Sequence, residues 1–393
     1  MSTKAYRRLM RYGLPIEVLN RDLKLIFTSN LLGSFGDGLY AYLLPYYMKE
    51  TLKASSVEIG ILYAITSLTA AVTLLLAGVL ADKYDRKKIM IAGWLAWVPA
   101  PIIFSMAKDW IQMLPGMILW GFWLGGPTST AYIVASADKN RLTLTFTVIS
   151  SSWSFGYIFS PALGGYMAGK IGMQPVFYAS FVLYALASLV LAFMRSQHAP
   201  TSQQKTPMNP STTELLRDKK LIGLSALFAS IMFVMMMFRP FVPQFLADAY
   251  NYGDFEIGVL GSIAFFGSAV LGIILGRVGD KWGKGYALAA SMASCSTSLI
   301  IMILTGNLYI LMAAFFLGGA SYLTWSLMSA IVGPQAPEPI RARWVSIPQT
   351  ISMFASIIAP YIGGVFYESS IYYPFIAAIG ASFILAIVAS YKK

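Results

Sequence analysis

Apolar stretches of about 20 residues, each long enough to cross ~30 Å of hydrocarbon as a helix, recur along this entire chain. They cover residues 23–48, 57–80, 89–107, 111–136, 143–168, 174–194, 221–247, 256–278, 286–304, 307–332, 344–366 and 371–391. All twelve are expected to be helices, because in lipid every backbone N–H and C=O must be satisfied within its own segment. Charged residues make up only 12% of the chain and hydrophobic residues 57%. A soluble domain carries roughly a quarter charged residues to cover its water-facing surface, so that class is excluded. The expected fold is all-α and embedded in the lipid bilayer.

The net charge of +12 would suggest a nucleic-acid partner in a soluble protein. Here it sorts by loop. With the N-terminus placed in the cytoplasm, 24 Lys and Arg residues fall on the cytoplasmic side and 4 on the other, with Arg239 left inside a span. This is the positive-inside pattern, so the charge reports topology, both termini are expected in the cytoplasm, and no nucleic acid is expected. Residues 195–220 are rich in Ser, Thr, Gln and Pro and divide the spans six and six. The expected organisation is an N-terminal bundle over 1–194, a linker over 195–220 and a C-terminal bundle over 221–393. The single cysteine, Cys295, excludes an intrachain disulfide.

The two halves are copies. At an offset of 198, Pro45 falls on Pro243, the Glu58-Ile59-Gly60 triplet on Glu256-Ile257-Gly258, and Gly78, Asp82 and Lys83 on Gly276, Asp280 and Lys281. At 199, Pro161, Gly164 and Gly165 fall on Pro360, Gly363 and Gly364. Six spans separate the copies, so both halves share one orientation. They are then related by an axis along the membrane normal, and the fold is two pseudo-symmetric six-helix bundles.

Residues 78–88, GVLADKYDRKK, resemble the loop motif between helices two and three of major facilitator superfamily transporters. Gly78, Asp82, Arg86 and Lys87 match it, and Asp85 stands where a glycine is usual. Gly276, Asp280 and Lys281 keep a second copy. Gly78 and Gly276 are expected to let helices approach closely. The resemblance implies that Asp82 gates the transporter by capping the eleventh helix. Residues 156–165, GYIFSPALGG, resemble the fifth-helix motif of antiporters in that family. Gly156, Pro161, Gly164 and Gly165, with Pro360, Gly363 and Gly364 in helix eleven, are expected to let their helices bend and pack. Against the antiporter pattern, Met117 occupies the place of a helix-four arginine.

An ionisable residue inside a span costs about 2.5–3.5 kcal/mol on insertion scales and marks function by default. Asp37 in helix one and Arg239 in helix seven are the two such residues. One reading makes Asp37 the proton-coupling carboxylate; the other makes the two a structural ion pair at an outer gate. Helical spacing adds Asn30, Ser34 and Tyr40 on helix one, and Met232 and Met235 on helix seven, as a cavity wall. Trp120, Trp123, Tyr322 and Trp325 are expected to complete it. Such aromatic and thioether surfaces suit apolar and cationic ligands.

The expected protein is therefore a secondary transporter that works as a monomer by alternating access. It exports amphipathic or cationic small molecules against protons or another coupling ion, with no cofactor and no metal. Uptake or exchange of small organic anions through Arg239 is the alternative, followed by a non-transporting receptor or sensor on the same architecture. No nucleophile–base pair, metal cluster or phosphate loop points to an enzyme.

Overall fold

The computed structural model describes residues 16–138, 141–198, 218–332, 335 and 341–391. The basic N-terminal tail and linker residues 199–217 lie outside them. Among the described residues the regular structure is helical throughout. The twelve expected spans are α1a (Arg21–Tyr40) with α1b (Leu44–Glu50), α2 (Ser56–Lys83), α3a (Arg86–Trp97) with α3b (Pro99–Met106), and α4a (Leu114–Trp120) with α4b (Gly125–Ser136). There follow α5 (Leu142–Ile171), α6 (Met173–Ala192), α7a (Lys219–Phe238) with α7b (Val242–Tyr250), and α8 (Asp254–Trp282). The last are α9 (Lys284–Leu304), α10a (Leu308–Gly318) with α10b (Thr324–Val332), α11 (Arg341–Ser369) and α12 (Tyr373–Ser390). Nine stretches among the described residues are long and apolar enough to cross a membrane. The other three spans are α1, α4 and α5, which carry Asp37, a helix break and a serine-rich segment.

Polar side chains begin the helices. The Asn20 carboxamide accepts the Leu23 N–H at 2.9 Å, and the Asp218 carboxylate accepts the Leu221 N–H at 3.1 Å. Ser55 and Glu58 form a reciprocal capping box at the start of α2, satisfying two backbone donors that the first turn leaves open.

The duplication is visible in the backbone itself. α1 and α7 are both interrupted before a prolyl segment, so that α1b starts at Leu44 and α7b at Val242. The α4 break begins at Gly121, and the 3-10 stretch that interrupts α10 begins at Gly319. A basic residue starts α3 and α9: Arg86 donates to the Ala131 carbonyl at 3.3 Å, and Lys284 to the Ala330 carbonyl at 2.6 Å. These two residues define a basic face of the molecule; Lys49 and Asp248 mark the far face.

The most extensive contacts between halves run from α2 to α11 and from α5 to α8. They are interlocks of small residues. A side chain on Gly60 would lie 2.5 Å from the Pro360 carbonyl oxygen, and one on Gly258 would collide with the Pro161 carbonyl. Gly165 meets the Asp254 backbone and Gly364 the Ser56 backbone in the same manner. Around these interlocks, Lys49 pairs with Asp248, the Tyr367 hydroxyl donates to Asp248 at 2.7 Å, and the Val57 N–H donates to Glu368 at 3.1 Å. The far face is therefore closed.

The basic face corrects one expectation. Among the described residues no atom approaches the place where a side chain on Gly276 would sit, so this glycine makes no close helix approach to them in this conformation. Asp280 and Lys281 are exposed, and Asp280 makes no hydrogen bond or ion pair with another described residue. The surroundings of Gly78 and Asp82 lie outside the described residues. Asp85, in place of the motif's usual glycine, has a definite job. Its carboxylate accepts the Lys87 N–H at 3.0 Å, capping α3a, and the Gln197 N–H at 3.1 Å. Arg86 is buried and donates to the Gln197 side chain at 2.8 Å. Together they fasten the start of the linker to the first half.

Candidate functional site

Asp37 sits in α1a one turn before the break at 41–43, and it is 3% exposed. Three donors from three other helices converge on it. The Trp120 indole N–H (α4a) donates to Oδ1 at 2.7 Å, the Tyr184 hydroxyl (α6) donates to Oδ1, and the Tyr157 hydroxyl (α5) donates to Oδ2. Behind them, the Tyr40 hydroxyl lies 3.0 Å from that of Tyr184. All four donors are neutral. An indole can only donate, whereas a phenol can turn and accept. If the carboxyl takes a proton, Trp120 keeps its role and a tyrosine must reorient to receive the new O–H.

Arg239 does not pair with Asp37, which corrects the ion-pair reading. α7 breaks at Arg239 because Pro240 supplies no N–H to continue the helical ladder. The guanidinium reaches α10 instead, donating from Nη2 to the Ser321 carbonyl at 2.9 Å and to its hydroxyl at 3.2 Å. It lies 4.2 Å above the Tyr322 ring. An aromatic stack separates the two charges: the Tyr157 ring is 4.6 Å from Phe265 of α8, and Phe265 is 4.9 Å from Tyr322.

The other expected residues divide between cavity and core. Asn30 and Trp123 line a pocket of about 80 Å³ in the first half, together with Trp94, Trp97, Trp153 and Ser129. The α4 break shapes this pocket, and the Trp97 indole donates to the exposed Phe122 carbonyl at 2.7 Å. Ser34 is a correction: it turns into helix packing, donating to the Ser152 carbonyl at 3.3 Å against Gly156. Tyr40 and Met235 are fully buried, and Met232, Tyr322 and Trp325 partly so. Gly164 packs on the Leu39 carbonyl and Gly363 on that of Met237. Tyr157 and Tyr184 were not foreseen. Their one sequence signal was a phenol placed among apolar neighbours, a feature shared with many of the chain's 23 tyrosines.

The chain is 24% identical over 335 residues to "Multidrug resistance protein MdtG" of Yersinia enterocolitica, covering 81% of this chain and 80% of that one. It is 21% identical over 371 residues to "Multidrug resistance protein 2" of Bacillus subtilis, covering 91% and 92%. The crystal structure of the nucleoside transporter NupG superposes with a TM-score of 0.76 at 16% identity, covering 95% of this chain and 99% of that one, which shows the fold alone. The family model of the Major Facilitator Superfamily matches residues 26–238 and again 224–392. Two matches, one on each half, span the duplication, and the chain belongs to the Major Facilitator Superfamily, a multi-pass membrane transporter.

Proposed function

We propose that this protein is a proton-coupled exporter of amphipathic or cationic small molecules, with Asp37 as the group that carries the proton. The observation that carries the reading is the Asp37 carboxylate, buried and held by Trp120, Tyr157 and Tyr184 with no cationic partner. A carboxylate so placed is available to a proton or to a cationic cargo, and one displaces the other. The indole-lined pocket, whose Trp94 and Trp97 rings contact Tyr184, supplies ring faces that attract cations and apolar groups alike. The relatives named for multidrug resistance agree with a cargo of that class.

Alternating access follows from the interlocks. In this state the halves, 1–194 and 221–393, are joined at the far face and the linker 195–220 spans them. Proton release or capture at Asp37 reorients Tyr157, whose ring leans on Phe265 of the opposite half, and so biases the rocking of one bundle on the other. The electrical part of the gradient supplies about 2.3 kcal/mol per charge per 100 mV. The basic face is cytoplasmic in this reading, the membrane is the plasma membrane, and one chain suffices for transport.

The test is reconstitution into liposomes with an imposed proton gradient and a panel of cationic, neutral and anionic compounds. Gradient-driven movement of the cationic and amphipathic members is expected. Movement confined to the anionic members, or indifferent to the gradient, would overturn the reading.

A further inference from the structure

The proton-coupling reading uses the carboxylate and leaves the opposite charge idle. Arg239 has five N–H donors to place, and its protein partners are the carbonyl and hydroxyl of Ser321 and the face of Tyr322. Its Nε is buried with no acceptor. None of these partners is an anion. Among the described residues the one ion pair is Lys49–Asp248 at the far face. Arg239 is half-buried, and a charge withdrawn from water is costly unless something of opposite sign accompanies it.

Beside the guanidinium lies a cavity of about 50 Å³, lined also by Tyr42, Cys295, Ser298 and Ser321. At the offset of 198, Cys295 corresponds to Trp97 and Ser321 to Trp123, so the pocket that indoles line in the first half has its counterpart here, lined by a thiol and a hydroxyl. Among the described residues no carboxylate lines this space.

We propose that this cavity is a binding site for a small monovalent anion, either a free halide or the carboxylate group of a small organic molecule. On this measure roughly 10–15 Å³ holds one water, so the space admits a small anionic group. The anion completes the hydrogen bonding of Arg239 from Nε and receives donation from the surrounding hydroxyls. This site is independent of Asp37 and of the proton reading.

The experiment is thermal unfolding of the purified full-length protein in sodium gluconate, with sodium chloride or sodium acetate substituted at constant ionic strength. A saturable rise of the midpoint by about 2 °C or more is expected, as linkage requires of a ligand that binds only the folded state. A response to chloride identifies a free ion, and a response to acetate identifies a carboxylate. Arg239→Gln is expected to abolish the response and Arg239→Lys to keep part of it. Should Arg239→Gln fail to fold, Ser298→Leu fills the cavity while retaining the charge and is expected to lose the response equally. Asp37→Asn is expected to keep it. Equal midpoints in all three salts, or a response that survives Arg239→Gln or Ser298→Leu, would overturn the proposal.

Discussion

The Tyr157 hydroxyl donates to Asp37 of α1a, while the ring that carries it lies 4.6 Å from Phe265 of α8, in the other half of the molecule. One side chain thus touches both the group expected to change charge and the bundle expected to move. Tyr157→Phe keeps the ring and removes the hydrogen bond. A hydrogen bond to a charged group contributes about 1.5–3 kcal/mol, so gradient-driven transport should fall about tenfold or more. The melting temperature should fall by a few degrees as well. Phe265→Ala should also slow transport, and the double variant should lose less than the sum of the two. Strict additivity in that cycle would separate the residues and remove the coupling route.

The glycine interlocks belong to the state closed at the far face. A methyl group on Gly60 would sit 2.5 Å from the Pro360 carbonyl, which is backbone and cannot swing aside. Overpacking of this kind costs about 1–3 kcal/mol. Because the contact exists only when α2 meets α11, Gly60→Ala should shift the population toward opening at the far face. Spin labels on cysteines placed at Glu50 and Asn251, in a Cys295→Ser background, should report a longer-distance component. A distribution identical to that without Gly60→Ala would mean the contact is not specific to this state.

The Lys49–Asp248 pair sits among the same contacts but is partly exposed, with side chains 28% and 21% accessible. Pairs of that kind contribute at most about 1 kcal/mol and are screened by salt. Asp248→Asn should therefore lower the melting temperature by only a few degrees at low ionic strength and by less at high. Swapping the charges, Lys49→Asp with Asp248→Lys, should recover part of the loss. A large, salt-independent effect would point to the Tyr367 hydrogen bond instead.

At the basic face, burial alone would raise the Asp85 carboxyl. Hydrogen bonds from Ser196 and from the Gln197 and Lys87 N–H groups, with His198 nearby, hold it below its ordinary value. A carboxylate lowered on folding contributes stability that is present above its unfolded value of about 3.9 and is lost as pH falls through the folded one. Hydrogen exchange at residues 195–197 should therefore be slow at neutral pH and accelerate below about pH 4, after correction for intrinsic rates. Asp85→Ala should expose the same segment at pH 7 and cost about 1 kcal/mol through the lost cap.

The spans were legible because their length and hydropathy answer to the bilayer rather than to one another. The interlocking glycines were legible in part: Gly165 and Gly364 were expected to let their helices pack, whereas Gly60 and Gly258 stood out only as duplicated positions. Asp37 stood out as a lone acid in a span. The surroundings of Asp37 were not legible: which of many tyrosines faces it depends on how α5 and α6 rotate about their own axes, which packing decides. Helical spacing put Ser34 on the same face as Asp37, yet Gly156 approaches so closely there that the serine is enclosed. One reading of the sequence paired Asp37 with Arg239, and the sequence held no sign that Phe265 lies between the rings of Tyr157 and Tyr322.

Proton movement coupled to cargo movement tests the assignment of Asp37 most directly. Proteoliposomes acidified inside and loaded with a pH-sensitive dye should lose protons when a transported cation is added outside, and Asp37→Asn should abolish that proton flux and weaken binding of the cation. Cargo-induced proton flux in Asp37→Asn equal to that of the unaltered protein would contradict the account.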